Sequence, residues 1–411
     1  MAIFHHFFAN RFIRNSSWIG VSELMARVSR LLTAIILARF LSLEEFGIAA
    51  LAITVNELVK VFNQNGIGAK IIQAPEAELE AVCNTAYRLN WMVCGSLFVL
   101  QCLLAFPLSW FYQQADLIPM VMLLAVVYLF MPSALVQAFL IQRQNRLKVT
   151  ALVAGVQVTV DNLLTALLAV LGLGAWAVVL PKLLVAPIWV IGTRMNQYWR
   201  FDPHSGFAHW REILHFGKHV LGVELLKTLR LNLDNLIIGR FLGIEALGIY
   251  SFARNAGLGI SLSLSSAFNT ALFPHLCEGA EDRGLLRKKF LHALKIIAWV
   301  MVPLILLQSL LAPWYVPIVF GEKWQVAVPV LLLLCLSAIP RPFGEGAAEV
   351  MRVLNKPHID FYWSSFFSLL FLAIVFISLP WGINGVALGI LLIHLIALPA
   401  YTVWVVRHYL H

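Results

Sequence analysis

The chain of 411 residues is 60% apolar and 12% charged, about half the charged fraction of a soluble globular protein. Its formal charge is +9 and its mean hydropathy +0.82. That balance excludes a disordered chain, a disulfide-stapled secreted module and an ordinary soluble enzyme, and leaves a polytopic membrane protein. A bilayer-crossing helix needs ~20 mainly apolar residues. Twelve stretches meet that need, centred roughly on 17–41, 46–72, 84–107, 117–141, 148–171, 174–193, 214–241, 246–275, 290–313, 324–350, 360–380 and 385–406. Runs such as Val326–Leu336 are apolar throughout, where a barrel strand would alternate polar and apolar residues. The expected class is therefore an all-α integral membrane protein of twelve transmembrane helices.

Lys and Arg set the expected orientation, because cytoplasmic loops hold the excess. Arg11 and Arg14 precede the first stretch, and Arg143, Arg146 and Lys148 follow the fourth. Arg194, Arg200 and Arg211 follow the sixth, within the longest polar connection. Arg283, Arg287, Lys288 and Lys289 follow the eighth, Arg352 and Lys356 the tenth, and Arg407 the last. The alternate connections Ser109–Asp116 and Pro380–Asn384 hold no Lys or Arg, and Pro317–Trp324 holds only Lys323. Both termini are expected in the cytoplasm, with the first stretch as an uncleaved anchor. The positive charge follows from this asymmetry and calls for no nucleic-acid partner. Cys83, Cys94, Cys102, Cys277 and Cys335 have no metal or redox spacing and read as free thiols in the membrane.

The chain also repeats itself. Ile36–Ala52 reads ILARFLSLEEFGIAALA and Ile237–Ala253 reads IIGRFLGIEALGIYSFA, identical at eight of seventeen positions at an offset of 201. Glu23-Leu24 pairs with Glu224-Leu225 at the same offset, and Pro132 and Asn145 pair with Pro342 and Asn355 at an offset of 210. Similarity at a fixed period marks a duplicated architecture. Six stretches per half is an even number, so both halves run in the same sense across the membrane. Such parallel repeats are related by an axis along the membrane normal, and secondary transporters place the substrate path between them.

The segment ILARFLSLEEFGIAALA with the polar NQNGIGAKIIQ after it, the later LNLDNLIIGRFLGIEALGIYSFARN, and GLGAWAVVLPKLL resemble the polysaccharide transporters of the Wzx type. Their superfamily also holds the MATE exporters and the lipid II flippases. The resemblance covers nearly the whole chain. It implies two six-helix bundles in a V, 1–200 and 201–411. It also implies a substrate of the undecaprenyl-pyrophosphate-oligosaccharide type, turned from the inner to the outer leaflet of the bacterial cytoplasmic membrane. The products served would be O-antigen, capsule or exopolysaccharide, with a polysaccharide polymerase and chain-length machinery as partners.

Independently of the resemblance, ionisable residues at bilayer depth cost ~2.5–3.5 kcal/mol on insertion scales and normally face a cavity or a partner. Glu23, Arg27 and Arg30 share one helix face in the first stretch, as do Glu224, Lys227, Arg230 and Asp234 in the seventh. The second adds Asn56, Glu57, Lys60 and Asn63, the fifth Asp161-Asn162, the sixth Lys182 and the eighth Arg254. Because the first and seventh stretches are repeat mates, their charged faces are expected to meet in a hydrated, net cationic cleft. Such a cleft suits a pyrophosphate: Arg offers a planar fork of donors and Lys a compact charge. Arg27, Arg30, Lys227 and Arg230 are the expected headgroup contacts, with Lys60, Lys182 and Arg254 in reserve. Glu23, Glu224, Asp161, Asp234 and Glu57 are the candidates for coupling to a proton or sodium gradient. The competing reading is local pairing, Glu23 with Arg27, Glu224 with Lys227 and Arg230 with Asp234, at helical spacing.

Other chemistry finds less support. His204, His209, His215 and His219 surround the basic connection without completing a metal-ligand set, so no metal is expected. Arg283–Lys289 reads as an amphipathic piece resting on the anionic inner leaflet. Trp110, Phe111, Tyr112, Trp314 and Tyr315 read as an interfacial belt. No Gly-rich phosphate loop accompanies these features, so neither ATP nor another cofactor is expected. A MATE-like exporter of organic cations would want an acidic, aromatic cavity, and a polysaccharide polymerase or ligase would want a sizeable outer loop. Neither feature is present in the sequence, and a lipid-linked oligosaccharide flippase is the leading expectation.

Overall fold

The computed structural model describes residues 11–63, 66–207, 210–279 and 282–410, with side chains from Met25 onward except at 147, 214, 216, 218–220, 223 and 260. Two compact units divide it, Met1–Asn232 and Leu233–His411, with the division inside one long helix. Among the described residues the chain is helical and holds no strand.

The first unit opens with α1 (Arg11–Phe40), α2 (Leu43–Lys60) and the short α3 (Ile67–Gln73). There follow α4 (Leu79–Tyr112), α5 (Leu117–Phe130), α6 (Pro132–Arg143), α7 (Leu147–Val170), α8 (Trp176–Leu184) and α9 (Ala186–Asn196). Helix α10 (Trp210–Phe241) carries the chain into the second unit. That unit contains α11 (Ile244–Cys277), α12 (Arg283–Tyr315), α13 (Val328–Ser337), α14 (Arg341–Val353), α15 (Pro357–Ser378) and α16 (Gly382–Tyr409). In the first unit α1 lies along α7 and α4 along α5; in the second, α11, α13, α14 and α16 pack together and α15 lies along α16.

Among the described residues six helical stretches are long and apolar enough to cross a bilayer, and eight when each bent pair counts as one span. Those pairs are α5 with α6, bent by 56°, and the two arms of α11, bent by 45° between Gly259 and Ser261. One qualifying stretch, Pro357–Tyr409, holds two helices separated by a single 3-10 turn at Leu379–Trp381. The expected stretches that fail this composition test are α1, α2 and α10. All three are helical, and they are the helices that carry the charged faces.

The internal repeat reappears in the helix boundaries. Helices α1 and α10 end at Phe40 and Phe241, and α2 and α11 begin at Leu43 and Ile244, all related by the offset of 201. The turn hydrogen bonds recur with them. Leu41 N–H donates to Leu37 and Leu242 N–H to Ile238, both at 2.9 Å, while Phe46 donates to Ser42 and Leu247 to Gly243, both at 3.1 Å. Their caps differ. Ser42 and Glu45 form a reciprocal capping box on α2, whereas Gly243 occupies the corresponding position with φ +94. At the offset of 210, α6 and α14 end at Arg143 and Val353. Both are closed by an Asn in the left-handed region, Asn145 at φ +52 and Asn355 at φ +58. Arg146 N–H reaches back to the Ile141 carbonyl and Lys356 N–H to that of Met351, at 3.1 and 2.8 Å. This six-to-one bond is the Schellman closure, which needs a residue that tolerates positive φ, as Asn does.

Each unit is packed around apolar side chains. In the first, Ile67, Ile71, Val82, Leu89, Val136 and Leu140 join α3, α4 and α6 into one cluster. In the second, Trp324 is fully buried and stacks on Phe252 of α11 at 3.9 Å, tying α11 to the 3-10 turn that precedes α13.

Candidate functional site

Polar residues hold the charged helices in place. On α1, Ser29 and Thr33 lie one turn apart and face α7. Thr33 Oγ1 donates to the Asn162 carbonyl at 2.9 Å, and Asn162 Nδ2 donates to Ser29 Oγ at 2.8 Å. The helical period turns Arg27 and Arg30 to a different face, where both are exposed. Arg30 Nε donates to the Ala26 carbonyl at 3.0 Å, one turn back. Glu23, their expected companion, lies outside the described side chains, as do His209 and His219.

Next to Asn162, Asp161 is paired with Lys182 of α8. The residues expected as a reserve headgroup contact and a coupling carboxylate are thus each other's partner within the first unit. The Oδ1 atom of Asp161 stays buried without a hydrogen bond. Glu57 and Lys60 pair at 3.2 Å on α2, both nearly half exposed, which is a weak surface contact. Their neighbour Asn56 is fastened inward: Gln101 of α4 donates to its Oδ1 at 3.3 Å, and Tyr128 of α5 donates to Gln101 Oε1 at 3.3 Å. Asn63 accepts from Cys94 Sγ at 3.5 Å.

On α10, Glu224 and Lys227 form their local pair at 3.5 Å. Asp234 and Arg230 do not. The Asp234 carboxylate, 4% exposed, is instead taken by α11. Tyr250 Oη donates to it at 2.7 Å, and Arg254 Nη1 lies 3.1 Å from both of its oxygens. The backbone N–H of Asn235 adds a third donor at 2.9 Å. A buried carboxylate tolerates its site only when paired and hydrogen-bonded, and these donors meet that condition. The same bonds commit Arg254 to structure on one side of its guanidinium.

The sequence reading missed Arg341 and Glu345. Helix α14 opens on Arg341 and carries Glu345 one turn later. Glu345 Oε2 accepts from Ser265 Oγ and Asn269 Nδ2 of α11, both at 2.5 Å. Arg341 lies within electrostatic reach of Arg254, Tyr250, Asp234 and Glu345. Its Nε is buried with no hydrogen-bond partner, although the side chain as a whole is only partly buried. The available signal was two ionisable residues at i,i+4 in the tenth stretch, behind a Pro-Arg-Pro break that made the segment read as a helix end. At the repeat-related positions of the first unit stand Met131 and Leu135, so this polar core belongs to one half alone.

Beside this core α11 bends. Gln308 Nε2 of α12 donates to the Ala256 and Gly257 carbonyls, both at 3.1 Å, and Cys335 Sγ of α13 reaches Gly257 at 3.3 Å. Side chains thus satisfy carbonyls at a helix break inside the membrane, as a bilayer requires. The described cysteines are all free thiols, and no group of three or more described His, Cys, Asp or Glu residues is placed to hold a metal ion.

The geometry gives a membrane fold whose second unit gathers the buried carboxylate of Asp234 with the partly buried Arg254, Arg341 and Glu345, and leaves the Arg341 Nε without a hydrogen-bond partner. The sequence profile of a family described as "Polysaccharide biosynthesis protein" matches residues 36–329. The lipopolysaccharide biosynthesis protein WzxC of Escherichia coli (strain K12) is 27% identical over 399 residues, covering 93% of this chain and 78% of its own. The teichuronic acid biosynthesis protein TuaB of Bacillus subtilis (strain 168) is 26% identical over 380 residues, covering 89% and 76%. Among solved structures, the inward closed conformation of the lipid II flippase MurJ superposes with a TM-score of 0.77 at 13% identity, covering 95% of this chain and 87% of that one. That likeness is one of fold.

Proposed function

Because the chain belongs to the polysaccharide biosynthesis protein family, an integral membrane family, we propose that it is a flippase for a polyprenyl-pyrophosphate-linked oligosaccharide. It carries the unit from the inner to the outer leaflet of the bacterial cytoplasmic membrane. It acts as a transporter and not as an enzyme: the sugar–phosphate bonds enter and leave intact. Twelve spans in two parallel six-span halves, with both termini cytoplasmic, give the alternating exposure that such transport needs. The recurrence of helix ends and turn hydrogen bonds at the offsets of 201 and 210 supports that duplication.

The observation that carries the reading is the polar core of the second unit. A membrane fold that needed only packing would be served at lower cost by apolar residues there. Arg341 keeps a buried Nε without an acceptor, and a pyrophosphate oxygen supplies one. Arg27, Arg30, Lys227 and Arg230 remain the proposed headgroup contacts of the charged helices, and Arg254 joins Arg341. Bare pyrophosphate would not leave water for a dry path, so the headgroup needs cationic partners while the prenyl chain stays in lipid. Directional transport draws on a proton or sodium gradient through a buried carboxylate, for which Glu345 now stands beside Asp234 and Asp161. Polymerase and chain-length machinery act on the delivered product.

The test is mass spectrometry of polyprenyl-linked sugars from cells with and without the protein, resolved by leaflet. The reading predicts a complete oligosaccharide repeat accumulating on its carrier in the inner leaflet when the protein is missing. A repeat that reaches the outer leaflet and stays unpolymerised would make the protein an enzyme of a later step. Unchanged lipid-linked sugars would assign it to small-molecule export.

A further inference from the structure

Away from that core, the second unit has a cavity of about 430 Å³ among α12, α14 and α16, lined by Arg287, Lys295 and Arg407. The rest of its wall is mainly apolar, with Leu291, Phe343 and Val403 along it, and no carboxylate lines it among the described residues. Arg283 Nη1 donates to the Tyr409 carbonyl at 3.0 Å, which fixes the start of α12 beside the end of α16. Arg287, one turn into α12, and Arg407, two residues before the end of α16, therefore stand near one level. Lys295 lies about 12 Å further along α12 at 1.5 Å per residue, and its flexible stem can carry the ammonium back toward the headgroup level. Leu291 and Val403 are both exposed. The cavity is thus an apolar trough with Arg287 and Arg407 near helix ends and Lys295 deeper along α12.

We propose that this trough holds an anionic glycerophospholipid, its phosphate between Arg287 and Arg407 and one acyl chain against Leu291, Phe343 and Val403. Charge complementarity carries the choice of occupant. Three cations and no acid among the described lining residues favour a net-anionic headgroup over a zwitterionic one, whose own cation they repel, and a polar solute would gain nothing from the apolar wall. Basic clusters at the membrane interface bind anionic lipid in this way. The site is separate from Asp234, Arg254 and Arg341 and does not depend on what the protein transports.

Native mass spectrometry of the full-length purified protein, delipidated and titrated with phosphatidylglycerol or phosphatidylcholine, tests the proposal. The expected result is a retained phosphatidylglycerol adduct, at least fivefold favoured over phosphatidylcholine. A triple variant Arg287→Gln, Lys295→Gln, Arg407→Gln should lose that preference. Inorganic phosphate at millimolar concentration should fail to displace the lipid; displacement would mean an anion site with no role for the chain, and would overturn the proposal. Equal retention of both lipids, or an unchanged preference in the triple variant, would overturn it as well. Should the triple variant not fold, Val403→Trp keeps all three charges and fills the trough. It is expected to weaken phosphatidylglycerol retention at least fivefold, and full retention would overturn the assignment.

Discussion

Asp234 and Arg341 are both polar residues of the second unit, and they make opposite predictions. Asp234 accepts from Tyr250, Arg254 and the Asn235 N–H. Asp234→Asn leaves the Arg254 guanidinium, 23% exposed, without its counter-charge. Breaking a buried pair in this way costs about 3–5 kcal/mol, to be read as a lowered unfolding temperature in detergent. Arg341 lacks a partner at Nε, so Arg341→Gln removes a desolvated charge and should leave the unfolding temperature unchanged or raised, while transport falls at least tenfold. A destabilised Arg341→Gln protein would make that residue structural. Sequence alone could not separate the two. Asp234 and Arg254 are twenty residues apart on consecutive helices, and nothing in their spacing shows that α11 turns Arg254 toward α10. Pairing within one helix was legible, and of the three pairs expected it held for Glu224 with Lys227; the pair of Glu57 with Lys60 was not among them. Where the local reading put Arg230 against Asp234, an adjacent helix supplied better donors.

The most legible features at the scale of helices are their ends. Phe40 and Phe241, Leu43 and Ile244, and Asn145 and Asn355 sit at matching boundaries because the residues that stop or start a helix act locally, whatever packs around them. Asn145→Ala and Asn355→Ala each place a β-carbon in the left-handed region without the local hydrogen bonding of Asn. Each should cost about 1 kcal/mol, and the corresponding Gly variants should cost less, as measured by thermal unfolding of the purified protein. Equal losses for Ala and Gly would mean that the Asn side chains, and not their backbone conformation, close the helices. Less legible was the break between α13 and α14, where Pro340 and Pro342 flank Arg341 and the expected span, which holds as Glu322–Val353, is made of two short helices. The bend of α11 was equally hidden, since it rests on Gln308 and Cys335 reaching carbonyls more than fifty residues away.

For the whole molecule, composition carried the class, a helical chain with several apolar spans. Mean hydropathy cannot count the spans, because α1, α2 and α10 are helical yet carry charged residues, among them Arg27, Arg30, Lys60, Lys227 and Arg230. A composition test passes over such helices, whereas the 201-residue offset finds two of the three as a matched pair. The function proposed above requires that the protein move a pyrophosphate headgroup across the bilayer. The direct measurement is leaflet exposure of a labelled polyprenyl-pyrophosphate oligosaccharide in vesicles reconstituted with the purified protein, read by an added sugar-cleaving enzyme that cannot enter. The account predicts protein-dependent exposure of substrate from the inner leaflet, at least tenfold slower with Arg341→Gln. Exposure no faster than in protein-free vesicles, with the protein folded and correctly inserted, would contradict it.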